Sequence, residues 1–375
     1  MRPVERVLIV GGGIAGMTAA TALCRAGIAA EIVERSPGWS VYGIGISIQG
    51  ATLRALQAIG VLDAVVAAGY PYSRVVACDV EGRVTGTVEL PPLLGPGYPE
   101  CIGIMRPVLQ RILQDALEAA HVPVRLGVTF RTMVQDDTGV TVDFTDGTCG
   151  RYDLVVGADG IQSQVRSLIF GADAGPEETG QRVWRAMVPR AETVTSRCMF
   201  FGPRNKAGCN PVSNDEMYIF LVESMGSGER ITDADAPRMM RDLLADFGGA
   251  IAQARASITD PARIACRPIS SMLLPAPWHR GRVVLIGDAV HCPTPQMASG
   301  AGMAVEDAIV LAELLRETAP VADLLDRFAV RRFDRCKGVV VASRTVSEWE
   351  KTPGLKGADP VGVLARANAA LAVPI

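Results

Sequence analysis

The N-terminal segment constrains the fold most, because it joins an apolar run, a glycine-rich turn, a helical pattern and a second apolar run. The run "VERVLIV" at residues 4–10 is rich in β-branched residues and predicts a parallel strand buried on both faces. "GGGIAG" follows, then apolar residues at helical spacing up to Gly27, and then "IAAEIVER", which contains Glu34. This order of strand, GxGxxG, helix, strand and acid predicts an α/β unit that binds a dinucleotide.

Each conspicuous residue of this segment has an expected physical role. Gly11 permits the tight turn, Gly13 lets the backbone approach a pyrophosphate, and Gly16 lets the helix pack closely on the strand. The pyrophosphate would lie at the helix N-terminus, where free N–H groups and the helix dipole favour negative charge. Glu34 would accept hydrogen bonds from a ribose diol and would disfavour the 2'-phosphate of NADP. The pattern does not separate NAD from FAD.

Composition restricts the class of protein further. A length of 375 residues predicts about two domains, and 49% hydrophobic residues suffice for a large core. A net charge of -3 without a basic cluster argues against a nucleic-acid surface, and no apolar run reaches the roughly 18 residues of a membrane helix. The nine cysteines form no CxxC pair, which favours reduced thiols and a cytoplasmic location.

Two further motifs have the character of strand-to-helix turns. "YDLVVGADGIQSQVRSLIF" at residues 152–170 predicts a strand, a turn at Asp159 and a helix capped by Ser163. "RGRVVLIGDAVHCPTPQMASGAGMAVEDA" at residues 280–308 predicts a strand that ends at Asp288 and a helix that begins at "GAG". Open α/β sheets bind ligands at the carboxyl ends of their strands. Three such motifs therefore predict one extended cofactor that crosses one sheet.

The adjacent His291 and Cys292 in the third motif could be a nucleophile pair or metal ligands. The sequence offers no third partner at a suitable spacing, and adjacent residues on a turn rarely point at one atom. We therefore expect no metal site here.

Together, "GGGIAG", "GADGIQSQVR" and "GDAVHCPTPQMASGAGMAVEDA" closely resemble the single-component FAD-dependent aromatic hydroxylases, the family of para-hydroxybenzoate hydroxylase and salicylate hydroxylase. The match covers most of residues 4–316, in the family's order and spacing. It implies an α/β fold, with a Rossmann-like FAD-binding domain, an interleaved substrate domain on a mostly antiparallel sheet, and a C-terminal helix near residues 324–350. The FAD-binding domain is expected at residues 1–72, 101–177 and 278–350, and the substrate-binding domain at residues 73–100 and 178–277.

The resemblance also implies which residues contact FAD. Asp288 would accept a hydrogen bond from a ribityl hydroxyl, and a main-chain group at Phe130 would meet adenine. The "GAG" turn would present N–H groups to the N1 edge of the flavin, where the reduced ring carries negative charge. The expected FAD-binding residues are Gly11, Gly13, Ile14, Ala15, Gly16, Glu34, Arg35, Gly45, Ser47, Arg106, Phe130, Asp159, Asp288, Gly300, Ala301 and Gly302.

The substrate side has three candidate catalytic residues. Pro295 would flank the isoalloxazine ring. Arg185 is a candidate for pairing with a substrate carboxylate or phenolate, and the alternative is a structural ion pair. Tyr218 is a candidate for a hydrogen bond to a substrate hydroxyl, and the alternative is packing in the core.

The implied activity is that of a FAD-dependent monooxygenase. NADH or NADPH would act as a transient co-substrate, and O2 would react through a flavin C4a-hydroperoxide with an electron-rich phenol, hydroxypyridine or quinolone. A reductase, dehydrogenase or epoxidase of the same superfamily is an alternative, as is a non-catalytic flavin-binding redox sensor. The expected partners are small molecules, without nucleic acid or membrane, and the chain is expected to be a monomer or homodimer.

Overall fold

Strands and helices alternate along the chain in the manner of an α/β protein. The computed structural model describes residues 4–39, 44–225, 231–352 and 354–375. Its strands are β1 (Arg6–Val10), β2 (Ala29–Glu34), β3 (Gly45–Gln49), β4 (Tyr70–Tyr72), β5 (Arg74–Cys78), β6 (Val84–Glu89), β7 (Cys101–Met105), β8 (Val124–Leu126), β9 (Phe130–Gln135), β10 (Val140–Phe144), β11 (Cys149–Tyr152), β12 (Leu154–Gly157), β13 (Glu177–Pro189), β14 (Arg197–Phe201), β15 (Lys206–Pro211), β16 (Glu216–Ser224), β17 (Ile264–Leu273), β18 (His279–Arg280), β19 (Val283–Leu285) and β20 (His291–Cys292). Its helices are α1 (Ile14–Arg25), α2 (Gly50–Ala58), α3 (Leu62–Ala68), α4 (Arg106–Ala119), α5 (Gln164–Phe170), α6 (Ala236–Leu243), α7 (Gly249–Arg255), α8 (Gly300–Leu314), α9 (Val321–Glu350) and α10 (Pro360–Ala372).

A six-stranded sheet in the order β18-β19-β12-β1-β2-β8 brings the three motifs together. Strands β19, β12, β1, β2 and β8 are parallel, and Val10, Gly157 and Leu285 occupy aligned positions in β1, β12 and β19. The turns that follow these strands therefore leave the sheet at one edge. This arrangement confirms the predicted α/β class and the predicted strand-to-helix character of each motif.

The core around this sheet explains why its strands are almost wholly apolar. Val7, Leu8 and Ile9 of β1 are fully buried in the main apolar cluster, where β1 contacts α1 and β11. Burying one such side chain contributes roughly 1.5–3 kcal/mol. Close helix packing then requires glycine at Gly16, because a Cβ there would lie 1.9 Å from the carbonyl oxygen of Gly11.

An eight-stranded sheet in the order β20-β17-β13-β16-β15-β14-β5-β6 forms a second layer. Its strand pairs are antiparallel except for the parallel pair of β14 and β5. One face packs against α6 and α7 around a separate apolar cluster that includes Trp184 and Phe247. The sheet is mostly antiparallel, as expected, and apart from β20 its strands lie between residues 74 and 273. The domain boundaries stay a prediction.

Two three-stranded sheets, β11-β10-β9 and β3-β7-β4, complete the described strands. The long helix α9 matches the expected C-terminal helix, and α10 follows it, which the sequence did not predict. Arg54 and Arg335 both donate to the carbonyl oxygens of Leu371 and Val373 at the end of α10. These bonds satisfy helix-end carbonyls that have no partner within the helix. Within the described ranges, no helix combines the length and apolar character needed to cross a membrane.

Candidate active site

A cavity of about 760 Å³ lies between the carboxyl edge of the six-stranded sheet and the eight-stranded sheet. Its volume is within the range of cofactor and substrate pockets. All three motifs contribute to its wall, as do β13 and β16 of the eight-stranded sheet. The residues singled out from the sequence that line it are Gly13, Ile14, Ala15, Gly45, Ser47, Arg106, Arg185, Tyr218, Asp288, Pro295, Gly300 and Ala301.

The first motif opens the N-terminus of α1 toward this cavity. Gly11 has a φ of 115°, and a Cβ there would lie 2.4 Å from the carbonyl oxygen of Ala158. A Cβ at Gly13 would meet no atom within 4 Å, and no side chain caps the helix there. The first turn of α1 also carries no acidic residue. Free N–H groups with open space beside them fit a pyrophosphate.

Glu34 and Arg35 lie at the end of β2, outside the lining of the cavity. The Glu34 carboxylate accepts hydrogen bonds from the backbone N–H of Gly12 at 2.8 Å and of Ser36 at 2.9 Å. An ionised carboxylate can accept about four hydrogen bonds, so Glu34 retains capacity for a ribose diol. Arg35 is exposed. Phe130 begins β9, packs against the main core and does not line the cavity.

The Asp159 carboxylate caps helix α5. It accepts hydrogen bonds from the backbone N–H of Gln164 at 2.7 Å and of Val165 at 3.1 Å, and from the hydroxyl of Ser163. The Ser163 hydroxyl in turn accepts from the backbone N–H of Arg166 at 2.9 Å, which confirms the predicted N-cap. Asp159 therefore shapes the turn, while its neighbours Ala158, Gly160 and Ile161 line the cavity.

Arg166 connects the second motif to the third. Its guanidinium donates to the carbonyl oxygen of Ile161 at 2.8 Å and to that of Ala289 at 3.1 Å. Burial lowers the pKa of Arg166, with the charge of Asp159 acting in the opposite direction. The Arg166 side chain therefore links the turn after Asp159 to the turn after Asp288.

The third motif places Asp288 in the cavity wall on a 3-10 turn. Gly287 has a φ of 60°, and a Cβ there would lie 3.1 Å from Ala15 and 3.0 Å from Ala304. The surrounding walls raise the pKa of Asp288 by desolvation, against the opposing charges of His291 and Arg106. The carboxylate faces open space at the junction of α1 and α8, where it can accept a hydrogen bond from a ligand hydroxyl.

The "GAG" turn begins α8 at Gly300, as the sequence predicts. The Ser299 hydroxyl donates to the carbonyl oxygen of Met297 at 3.0 Å and does not cap the helix, so the N–H groups of the first turn face the cavity. Gly302 lies behind this wall, where a Cβ would be 2.1 Å from the hydroxyl of Thr52 on α2. Its role in the fold is close packing of α8 on α2.

The expectation that His291 lacks suitably placed partners was wrong. The fold brings Asp307 of α8 and Cys336 of α9 to it, with one potential ligand atom from each of the three residues within 4.8 Å of the others. His291 Nε2 lies 2.6 Å from Asp307 Oδ2, and Arg332 donates to Asp307 Oδ1 at 2.8 Å and to Glu306 at 2.8 Å. Buried Arg332 thus pairs with both carboxylates, while Glu306 also pairs with Arg335.

This buried network also reaches the cofactor turn. The backbone N–H of Gly287 donates to Asp307 Oδ2 at 2.9 Å, one residue before Asp288. Burial by itself would lower the pKa of His291, but the charge of Asp307, the hydrogen bond to it and the interaction with Cys336 together raise that pKa well above its ordinary value. Both carboxylate oxygens of Asp307 are already engaged, Oδ2 by His291 and Gly287 and Oδ1 by Arg332. The cluster therefore serves as a buried, charge-paired support for the turn.

Two sequence candidates lie on the eight-stranded sheet. Tyr218 is buried, with its ring 2.2 Å from where a Cβ of Gly45 would be, so only glycine allows this approach. Arg185 lies between Phe220 and Ala265 in the sheet, and its guanidinium has neither a hydrogen bond nor an ion pair with the side chain of any other described residue. Desolvation lowers the pKa of Arg185, Tyr218 acts in the opposite direction, and the charges of Arg106 and Arg197 act in the same direction as desolvation.

Three residues at or beside the cavity wall were not predicted from the sequence, namely Lys206, Gln296 and Glu350. Lys206 and Gln296 line the wall, and both bond to Glu350 at the end of α9. Gln296 donates at 2.9 Å, and Lys206 forms an ion pair with the same carboxylate. The partners are separated by 144 and 54 residues in sequence, so no local pattern could have joined them.

Comparison with known proteins agrees with this geometry. The family model described as "FAD binding domain" matches residues 5–343. The chain is 32% identical to aurachin C monooxygenase/isomerase of Stigmatella aurantiaca over 353 residues, which cover 92% of this chain and 90% of that protein. It is 31% identical to 2-heptyl-3-hydroxy-4(1H)-quinolone synthase of Pseudomonas aeruginosa over 350 residues, with the same shares.

A solved structure has the same architecture. A variant of Klebsiella pneumoniae HpxO complexed with FAD superposes with a TM-score of 0.85 at 25% identity, covering 98% of this chain and 94% of that one. The match to the family model spans most of the chain, and the relatives are named as FAD-dependent monooxygenases or hydroxylases. The chain therefore belongs to the FAD-binding family of FAD-dependent aromatic monooxygenases.

Proposed function

We propose that this protein uses NADH or NADPH and O2 to hydroxylate an electron-rich aromatic or heteroaromatic ring of the phenol, hydroxypyridine or quinolone type. The observation that carries the proposal is the cavity that joins the three dinucleotide-type motifs to Arg185 and Tyr218 on the second sheet. Two relatives with more than 30% identity are named for aurachin C and for a quinolone.

The residues that would hold FAD follow from the cavity wall. The N–H groups after Gly13 would bind the pyrophosphate, and Glu34 would accept from the ribose. Asp288 would accept from the ribityl chain. Gly300 and Ala301 would direct N–H groups at the flavin edge that becomes anionic on reduction. When bound, FAD supplies hydride acceptance and oxygen activation, and the protein orients the substrate and excludes water.

The substrate end of the cavity is rich in positive charge. Arg185 has no partner among the described residues. Arg197 lies over the ring of Phe220 at 5.8 Å, and its buried Nε has no hydrogen-bond partner. Two under-satisfied guanidinium groups favour a substrate with a carboxylate or an acidic hydroxyl. A deprotonated ring hydroxyl would also make the ring more reactive toward an electrophilic oxygen. Tyr218 would hydrogen-bond to the substrate, and Pro295 would form the wall beside the flavin ring.

The test begins with the purified yellow holoprotein. Phenols, hydroxypyridines and quinolones, each with and without an acidic group, are screened for stimulated NADH or NADPH oxidation, oxygen uptake and an oxygenated product. We expect one class of acidic substrate to stimulate NADH or NADPH oxidation, oxygen uptake and product formation in equal molar amounts. Stimulated oxidation without an oxygenated product would contradict hydroxylation and would favour the reductase alternative. Flavin binding with no stimulated turnover would favour the redox sensor.

We further propose a cytoplasmic monomer or homodimer. The nine cysteines are free thiols, which fit a reducing compartment. Light scattering of the holoprotein measures the oligomeric state directly, and a trimer or larger assembly would contradict this proposal.

A further inference from the structure

Three cysteines lie together on the eight-stranded sheet, outside the cavity. Cys198 of β14 is directly opposite Cys209 of β15 in the antiparallel register, and Cys78 lies on the next strand, opposite Phe200. Directly opposed residues in antiparallel strands have Cα atoms about 4.5–5.5 Å apart. That separation is within the roughly 4.4–6.8 Å that a disulfide spans. The strand register therefore places Cys198 and Cys209 at a Cα separation that a disulfide can span.

The two thiols already interact. Interaction between the two sulfurs shifts the pKa of each, and the Cys198 thiol donates to the carbonyl oxygen of Ser196 at 3.5 Å. Both side chains lie on the face that packs against α6 and α7. Their strand neighbours Arg197 and Lys206 line the cavity on the opposite face. The cysteine pair therefore lies directly behind the substrate wall.

The environments of the two sulfurs differ in the way that an attacking and a resolving cysteine require. Cys198 is half-buried, whereas Cys209 is fully buried. Interaction with the Cys209 thiol lowers the pKa of Cys198, against the effect of burial. Interaction with Cys198 and burial both raise the pKa of Cys209. The less buried cysteine is thus the more readily ionised one.

We propose that Cys198 and Cys209 form a peroxide-sensitive modification site that closes into a cross-strand disulfide. The Cys198 thiolate attacks one oxygen of hydrogen peroxide, the O–O bond breaks, and Cys198 becomes a sulfenic acid with release of hydroxide. The Cys209 sulfur then attacks the Cys198 sulfur, the S–O bond breaks, and water leaves with the Cys209 proton. Two thiols are oxidised by two electrons, and one peroxide is reduced to two waters.

Cys78 is the alternative disulfide partner for Cys198, and the strand register disfavours it. It is beside Phe200 rather than opposite Cys198, and burial raises its pKa to about 11, with the charges of Cys198 and Asp79 acting in the same direction. Cys149 is exposed on β11, away from this cluster, and serves as a reference thiol.

The experiment uses reduced holoprotein treated with hydrogen peroxide, alkylated, and digested with trypsin without reduction. The sequence separates the cysteines cleanly, because Cys198 falls in peptide 198–204 and Cys209 in peptide 207–230. Cys78 falls in peptide 75–83 and Cys149 in peptide 132–151. We expect a linked species of peptides 198–204 and 207–230 that lacks two hydrogen atoms and separates again on reduction.

Four variants complete the test, each checked for folding by circular dichroism. Cys198→Ser and Cys209→Ala should abolish the linked species, and Cys209→Ala should leave Cys198 as an overoxidised acid. Cys78→Ser and Cys149→Ser should retain the linked species in full. A link between peptides 198–204 and 75–83, or peroxide oxidation of Cys198 without any linked species in the unaltered protein, would overturn the proposal.

Discussion

Asp288 is the acidic side chain that the third motif presents to the cavity, at the junction of α1 and α8. Most neighbouring contacts available to a cofactor are backbone N–H groups of glycines and alanines, which a substitution cannot remove. A carboxylate is different, since its hydrogen bond to a ligand hydroxyl can be deleted by a single change. Asp288 is therefore the residue at which the FAD assignment is most directly tested.

We predict that Asp288→Ala weakens FAD binding by about 1–3 kcal/mol, or roughly 5- to 150-fold in Kd, because one charge-assisted hydrogen bond is lost. Fluorescence titration of the apoprotein with FAD measures the change. Asp288→Asn keeps an acceptor oxygen and should lose less. Asp137→Ala, at an exposed position outside the cavity, is the matched control. An unaltered Kd in Asp288→Ala would refute the ribityl assignment.

At the scale of elements, a buried charge network joins the cofactor turn to the C-terminal helices. Asp307 of α8 binds both His291 and Arg332 of α9. Glu306 also accepts from Arg335, whose guanidinium bonds the end of α10. The position of the turn before Asp288 thus depends on elements distant in sequence. Removing one member of such a network leaves an uncompensated buried charge, which is strongly destabilising.

We predict that His291→Gln lowers the free energy of unfolding by about 3–5 kcal/mol, because Asp307 loses a buried charged partner. The raised pKa of His291 sets the pH dependence of this contribution in the native protein. The stabilisation by His291 is complete below a pH of about 6.5, the pKa of histidine in the unfolded state. It declines above that pH and is lost as the pH rises through the pKa of His291 in the folded state.

Urea denaturation of the protein and of His291→Gln between pH 5.5 and 9, roughly spanning the histidine range, measures both effects. The stability difference between the two proteins should shrink as the pH rises. Arg327→Gln, which removes an exposed ion pair with Glu317, should alter stability little at any of these pH values. A stability difference that is independent of pH would show that His291 is not charged in the native state.

At the scale of the whole molecule, the active site exists only because two sheets face each other across one cavity. The first sheet contributes the cofactor turns. The second contributes Arg185 and Tyr218, and Tyr218 approaches Gly45 of a third, smaller sheet. With the roles proposed above, we expect substitutions on the second sheet to alter substrate selection without altering cofactor binding.

We predict that Arg185→Met lowers kcat/KM roughly 10- to 150-fold for an acidic substrate found in the screen, because hydrogen bonds to charged groups contribute about 1.5–3 kcal/mol. The neutral carboxamide or methyl ether of that substrate should lose much less. FAD affinity should stay constant. Arg204→Met, at an exposed surface pair, is the control. Equal losses for acidic and neutral substrates would contradict anion recognition by Arg185.

The features of this protein that could be predicted are those that depend on residues close together in the sequence. Buried strand runs, the helix start at "GAG" and the Ser163 cap depend on residues within about one helical turn, so their patterns indicate the structure directly. The same turn contains a bond that the pattern did not indicate, because the Asp159 carboxylate accepts from the backbone of α5, while its expected contact with FAD stays a prediction. Which acceptor serves which donor is a matter of three-dimensional position.

By itself, the sequence determined the α/β class, the three cofactor turns and the family. Only the tertiary structure decided how distant side chains combine: His291 with Asp307 and Arg332, Lys206 with Glu350, and Cys198 with Cys209. The physical reason is that backbone conformation responds to neighbours along the chain, whereas charge pairing and thiol pairing depend on packing between elements that the sequence separates widely.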